Sequence, residues 1–499
     1  MLLAALLLAC HPPRETVVSD ADADADVDTD ADADADTDAD VDTHSGPTVH
    51  SGLEHSGVPS PSVSASCQVQ PDNALRVDCH VEVQPPGPVE VSFQPSAGGA
   101  ARIQRWDEVG RADLTLWRMN GDTDHDYVFT ALDSGAEASG TFRSGRIPAA
   151  FQVSMSVTGV VPPAGDLLFQ ADCDVPTAVV VDGEGRMVWY QDLTAGLPAG
   201  AYRVQATDVA GDGGVVSMLD RSLVRWFDWD GTLRLEAGAG ITPGFDRAVH
   251  HDVAQRDGLL WVLTAEAWSD AVASWVVDGF YVLDTSGAVV ADWNVDALAP
   301  PSGPGFAGYW GGQFAYAIDW THENSVEVDE NHDLLLSFLQ VDTVIQVHGD
   351  PADPAFGQAV TTLVGDDATT FVSDYTIADP HGLTSDLTFS HQHHPHWLPS
   401  GELQMFDNEE IGASRVLRLR LDASARTAEI TGSWSLGVAC AYAGSAYDRA
   451  DGTLIATCAP SGTFSVIEPT SGDVLGTWRP RCVGGGSRAM LARGIPVTL

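Results

Sequence analysis

From about residue 159 to the C-terminus the chain repeats one pattern, and a repeat constrains a fold more tightly than any single motif. An apolar strand meets an Asp/Asn/Gly turn, a second apolar strand follows, and a Trp often closes the unit. Val179-Val180-Val181-Asp182-Gly183 leads to Trp189, and Asp257-Gly258-Leu259-Leu260-Trp261 leads to Trp293. Ser400-Gly401-Glu402-Leu403 leads to Trp434, and Asp451-Gly452-Thr453-Leu454 leads to Trp478. Turns at Gly211-Asp212-Gly213 and Asn331-His332-Asp333 complete six units, most of them roughly 45 to 75 residues apart. Imperfect repeats of this length, four strands each, predict a six-bladed β-propeller over 159–499. Residues 63–158 carry shorter alternating runs, such as Arg76 to Val83 and Val89 to Phe93, and predict a small Ig-like β-sandwich ahead of it. The expected fold class is therefore all-β, in keeping with 49 Gly and 28 Pro among 499 residues.

Charge narrows the function. All 24 basic residues are Arg, so a Walker-A lysine, a Schiff-base lysine and a lysine general base are excluded together. A net charge of −47 argues against nucleic acid as a partner, because that binding neutralises phosphates with basic side chains. The apolar run Met1 to Ala9 ends in Leu7-Leu8-Ala9-Cys10, which reads as a lipobox. Residues 1–10 are thus expected to be a lipoprotein signal peptide, with Cys10 carrying lipid and giving the only membrane contact. Every second residue from Asp20 to Asp42 is Asp, twelve in all, so 11–62 is expected to be a solvated, disordered tether; weak Ca²⁺ binding is the alternative. This predicts an exported lipoprotein of the periplasm, outer membrane or cell surface. Cys67–Cys79 and Cys440–Cys458 suit local cross-strand bridges, leaving Cys173–Cys482 to join the two ends of the large domain.

Three of the repeats carry histidine just upstream of the turn. His251 lies seven residues before Gly258, His393 eight before Gly401, and His322 eleven before Asp333. Similar offsets in consecutive blades put these side chains at similar radius and height, at the mouth or wall of a central channel. Imidazoles gathered in this way suit nucleophilic and acid–base work near neutral pH. The cluster of His391, His393, His394 and His396 leaves a metal-binding tract as the alternative, although no carboxylate or second-shell partner is identifiable.

The strings His250-His251-Asp252-Val253, Asp319-Trp320-Thr321-His322-Glu323-Asn324-Ser325-Val326 and Gln392-His393-His394-Pro395-His396-Trp397 through Asp407-Asn408 resemble the bacterial aryl-sulfate sulfotransferases. The resemblance spans roughly 160–499. It implies sulfuryl transfer from an aryl sulfate donor to a phenol acceptor, with no cofactor and no metal. It also implies His393 as a transiently sulfated nucleophile, with His251 and His322 stabilising charge and moving protons, and Asn324 positioning substrate. His250 and His251 are not separated by it. The family's sulfuryl-binding Arg falls here at Leu339 or Gln340, so Arg415 is the expected substitute. The Gly- and aromatic-rich insert Gly305 to Tyr316 suits a lid over a phenol. A non-catalytic surface-anchored binding or scaffold propeller is the rival reading. The oligomeric state is left open.

Overall fold

The computed structural model describes residues 60–161, 164–271, 273–303, 305–307, 310, 312–366, 369–409, 412–483 and 493–499. The signal-like run, Cys10 and the Asp-rich run fall outside the described residues. No α-helix occurs among the described residues, only two 3₁₀ turns at Val295–Ala297 and Leu339–Val341.

The strands Ser62–Val69, Val77–Pro95, Arg102–Leu116, Asp124–Ala131 and Ala136–Arg143 form one antiparallel sheet. Its two long strands lose register between Glu82 and Val89, where the sheet turns a corner. The first strand thereby packs against the last, and Val77, Val81, Val89, Val91 and Phe93 meet inside. Cys67 and Cys79 face each other across the first pair and are bonded. The chain leaves this sheet earlier than the expected boundary at 158, since Val153–Gly159 pairs with Val474–Cys482 instead.

Six more sheets follow among the described residues, antiparallel except where Ile318–Asp319 and Thr376–Ala378 add short parallel edges to two of them. Four of their leading strands are Val204–Val209, Ala248–Arg256, Glu323–Val328 and His393–Trp397; Ser445–Asp448 leads the fifth. The last sheet is closed by the C-terminus, because Ile495–Val497 pairs with Asp166–Asp172 ahead of Pro176–Val181 and Met187–Asp192. Successive leading strands pack against one another. The Cys173–Cys482 disulfide ties the same two ends together, and Cys440–Cys458 is also formed. Five of the six sequence turns join a leading strand to the second strand. Asp182-Gly183 instead joins the third to the fourth, because its sheet takes its leading strand from the far end of the chain.

The recurrent Trp has a physical reason. Trp189, Trp293 and Trp434 each sit on the fourth strand of a sheet. Their indole N–H groups donate to Trp229 O at 2.7 Å, Gly357 O at 3.0 Å and Pro469 O at 2.8 Å, each in the third-to-fourth turn of the next sheet. A large apolar ring with one donor thus fills the gap between neighbouring sheets and latches them. The latch requires glycine at 357, where φ is +77° and a Cβ would meet Trp293 Cδ1 at 2.3 Å. Gly357→Ala is expected to destabilise by about 2–4 kcal/mol in denaturant unfolding, from a left-handed backbone plus overpacking. Gly240→Ala, at φ +78° with nothing within 4 Å, carries only the backbone part and should cost about 1–2 kcal/mol.

Candidate active site

The histidines sit where three consecutive leading strands break their ladders. Register shifts fall between Val249 and Val253, between Glu323 and Ser325, and between His393 and His396. His251 has φ +56°, His322 +52° and His394 +53°. Non-glycine residues adopt this conformation at a cost, and such bulges re-aim side chains. Here they turn imidazoles into the space between strands, where His251, His322 and His393 are each no more than 1% exposed.

Polar neighbours of each histidine stitch one strand to the next. Asp252 accepts from Val326 N–H at 2.9 Å, and Asn324 Nδ2 donates to Gln392 O at 2.8 Å. Gln392 Nε2 then donates back to Thr343 O at 3.0 Å. Asn324, expected to position substrate, therefore holds the backbone directly before His393. Its Oδ1 has no hydrogen-bond partner among the described residues. Arg493, beside the C-terminal strand, pairs with Asp252, and its Nη1 lies 3.6 Å from Asp208. Burial pushes the Asp208 carboxyl up to about 8.

His393 has a fixed tautomer. Its Nδ1 lies 2.6 Å from Asn408 Oδ1 and 3.0 Å from His391 O, both acceptors, so Nδ1 carries the proton. The amide cannot present its nitrogen instead, because Asn408 Nδ2 donates to Cys440 O at 2.5 Å and Ala443 O at 2.8 Å. Nε2 is left with a lone pair and no hydrogen-bond partner among the described residues. Burial lowers the His393 midpoint to about 3, against the smaller upward pull of Asn408 and His391 O, so the ring is neutral near pH 7.

His322 is the opposite case. Burial lowers its midpoint, but the adjacent Asp319 charge and hydrogen bond, with Asp278, outweigh burial and raise it. Its Nδ1 donates to Asp319 Oδ2 at 2.5 Å. Asp278 brackets the residue, accepting from Thr321 Oγ1 at 2.5 Å and Glu323 N–H at 3.0 Å. Two imidazoles of one cluster are thus pushed in opposite directions, His393 down and His322 up. His251 sides with His393. Its ring centroid is 4.7 Å from that of His322, and its midpoint is held well below the usual value by burial and by His322, His250, Arg221 and His393. His250 is also buried, its ring 5.1 Å from that of Trp310 and its Nε2 3.4 Å from Asp278. The pair touches through its Nδ1 atoms at 2.6 Å.

Arg415 is placed differently from its expected role. Its guanidinium binds Asp407 at 2.8 Å, Glu409 at 3.3 Å, Thr384 Oγ1 at 2.8 Å and the carbonyls of Asp386 and Thr388. Asp407 also receives Ser390 N–H at 3.1 Å, so Arg415 braces the segment that leads into His393. Leu339 and Gln340 do lie against His322, donating their N–H groups to His322 O and Thr321 O, both at 3.0 Å. Of the aromatic insert, Trp310 is buried against His250, whereas Tyr316 is 97% exposed. Among the described residues no group of three or more His, Cys, Asp or Glu is arranged to hold a metal ion. The sequence reading missed Asp319, Asp278 and Asn408 as working residues. Asp319 and Asn408 were visible inside the quoted motifs, but Asp278 has no local signal.

Residues 165–429 match the family model Arylsulfotransferase (ASST), and the chain belongs to that family. The membership carries arylsulfotransferase activity in general, with aryl sulfates and phenols as the coarse substrate classes. No curated protein matches the chain. Among solved structures, it is similar to a protein of unknown function from Bacteroides caccae, at 12% identity over 67% of this chain and 100% of that one, with a TM-score of 0.40. Virginiamycin B lyase from Staphylococcus aureus is similar at 12% identity over 64% and 86%, with a TM-score of 0.32. Apo AztD from Citrobacter koseri is similar at 9% identity over 88% and 98%, with a TM-score of 0.28.

Asp319 makes the largest upward contribution to the His322 midpoint, ahead of Asp278. In Asp319→Asn, burial should prevail and the imidazole midpoint should drop below 6.5, read by NMR titration of the ring.

Proposed function

We propose that this chain moves a sulfuryl group from a phenolic sulfate to a phenolic acceptor through a sulfated His393. One observation carries the reading: Asn408 fixes the proton of His393 on Nδ1 and leaves a neutral Nε2, in the same cluster as His322, whose midpoint Asp319 raises. Nε2 attacks sulfur, the N–S bond forms and the S–O bond to the aryl group breaks. His322 gives its proton to the departing phenolate. The new positive charge on the His393 ring is held by Nδ1–H donation to Asn408 Oδ1 and His391 O. An acceptor phenol then transfers its proton to His322 as its oxygen attacks sulfur, and the N–S bond breaks to restore His393. Covalent transfer in this way splits one difficult displacement into two easier ones. His251 stabilises charge on the sulfuryl oxygens. No metal or nucleotide enters any step.

The wider architecture is proposed with it. Six sheets whose leading strands pack in sequence, the last closed by the C-terminal strand, support six propeller blades around a channel. The folded-over N-terminal sheet supports a separate β-sandwich domain. The lipobox at Cys10 supports an exported lipoprotein held at a periplasmic, outer-membrane or cell-surface site.

The test is phenol release from 4-nitrophenyl sulfate with and without an added phenol. Release should depend on the acceptor, and His393→Ala should lower it by at least ~10³-fold. No release from several donors by the folded protein would overturn the reading and leave the non-catalytic binding propeller. The pH profile follows from the two histidines. Donor kcat/KM should hold to well below pH 6.5, because His393 stays neutral, and should fall above it as His322 loses its proton. A profile rising through that upper range would remove His322 as the acid.

A further inference from the structure

An aryl sulfate brings a full negative charge into this site. Neutral His393 and His251 do not balance it, His322 is already paired with Asp319, Arg415 is paired with Asp407 and Glu409, and Leu339 and Gln340 carry no charge. The candidate cation comes from a turn that the histidine pattern does not touch. Asp220 and Arg221 are the two central residues of the hairpin between Val215–Leu219 and Leu223–Phe227. Their φ values are +50° and +58°, and Ser222 N–H closes the turn onto Leu219 O at 3.1 Å. Positive φ at both positions defines a type I′ turn, for which Asn-Gly is the favoured pair. An arginine there works against local preference, and such conflicts gather at functional sites.

The turn is docked on the histidine strand, since Val249 N–H donates to Arg221 O at 3.0 Å, one residue before His250. The Arg221 guanidinium carbon lies 4.5 Å over the Trp310 ring. Trp310 meets His250 at 5.1 Å and places its Nε1–H 3.3 Å from Asp319, the partner of His322. Arg221 thus stands on the wall formed by Trp310, His250 and Asp319. Its charge reaches the rings of His250, His251 and His322, disfavouring protonation of each.

We infer that Arg221 is the substrate-binding cation of this site, its planar guanidinium taking the sulfuryl oxygens of the aryl sulfate from the Trp310 side. This rests on the proposed sulfuryl transfer and adds the residue that receives the charge. A guanidinium suits the task because its forked donors match oxyanion geometry and it stays charged beside an aromatic face.

The test is Arg221→Asn, which removes the cation and installs a residue the turn prefers. The unfolding midpoint should stay equal to wild type or rise, while kcat/KM for 4-nitrophenyl sulfate should fall about 10²–10³-fold. Arg221→Lys should recover part of the loss. The alkaline limb of the pH profile should move upward in Arg221→Asn, because a charge opposing His322 protonation is gone. Calorimetric binding of 4-nitrophenyl sulfate in a His393→Ala background separates this inference from the reaction itself. Weaker binding on adding Arg221→Asn supports Arg221 even if wild type transfers nothing. Undiminished binding, no binding in either background, or unchanged kcat/KM in a folded Arg221→Asn overturns it.

Discussion

A buried neutral imidazole has one proton to place, and the Asn408 amide decides where it goes. Both side-chain ends of Asn408 are committed, Nδ2 to two backbone carbonyls and Oδ1 to His393, so the amide cannot rotate to relieve its partner. One of those carbonyls belongs to Cys440, which is bridged to Cys458, and the Cys440 N–H is held by Ser414 Oγ at 2.8 Å. Ser414 Oγ also donates to Asn408 O at 2.7 Å. A disulfide-linked segment thereby helps hold the amide that, together with the His391 carbonyl, fixes the tautomer of a ring on another strand.

The same economy runs through the leading strands. Each is bulged at its histidine, and each bulge frees backbone groups that need partners. Asp252, Asn324, Gln392 and Asp278 supply them, and in doing so they fix one strand against the next. Burial then does the electrostatic sorting. Excluding water from the cluster lowers His393 and His251, while Asp319 and Asp278 raise His322 in the same surroundings. The contrast between two rings of one residue type comes chiefly from Asp319, placed three residues before one of them, with Asp278 adding to it.

Much of this was legible along the chain because it repeats. The Trp period reports the contact between sheets, the turn period reports the hairpins, and similar offsets bring His251, His322 and His393 together. Among fifteen possible pairings, local spacing favours two of the disulfides and leaves the third as one long closure, and the structure forms all three. What sequence left hidden is what depends on partners far away in the chain. Arg415 follows the third motif and looks available, yet Asp407 and the 384–388 segment occupy it. Arg221 lies in a short turn with no histidine near it in sequence and reaches the site through Val249 and through Trp310, 89 residues later. The strand Val153–Gly159 alternates like the sheet before it and joins another, because its partner lies more than 300 residues downstream. The 182–183 turn shares its composition with the others, and only the C-terminal closing strand shifts its position within the sheet.

The central claim is a covalent sulfuryl group on one ring nitrogen. Full-length protein mixed with an aryl sulfate donor in the absence of acceptor, quenched and digested, can be followed by mass spectrometry. The account predicts one added SO₃ on the peptide containing His393, retained until a phenol is added and then lost. A protein that releases phenol from the donor with no such adduct, or with the adduct on another residue, would contradict it.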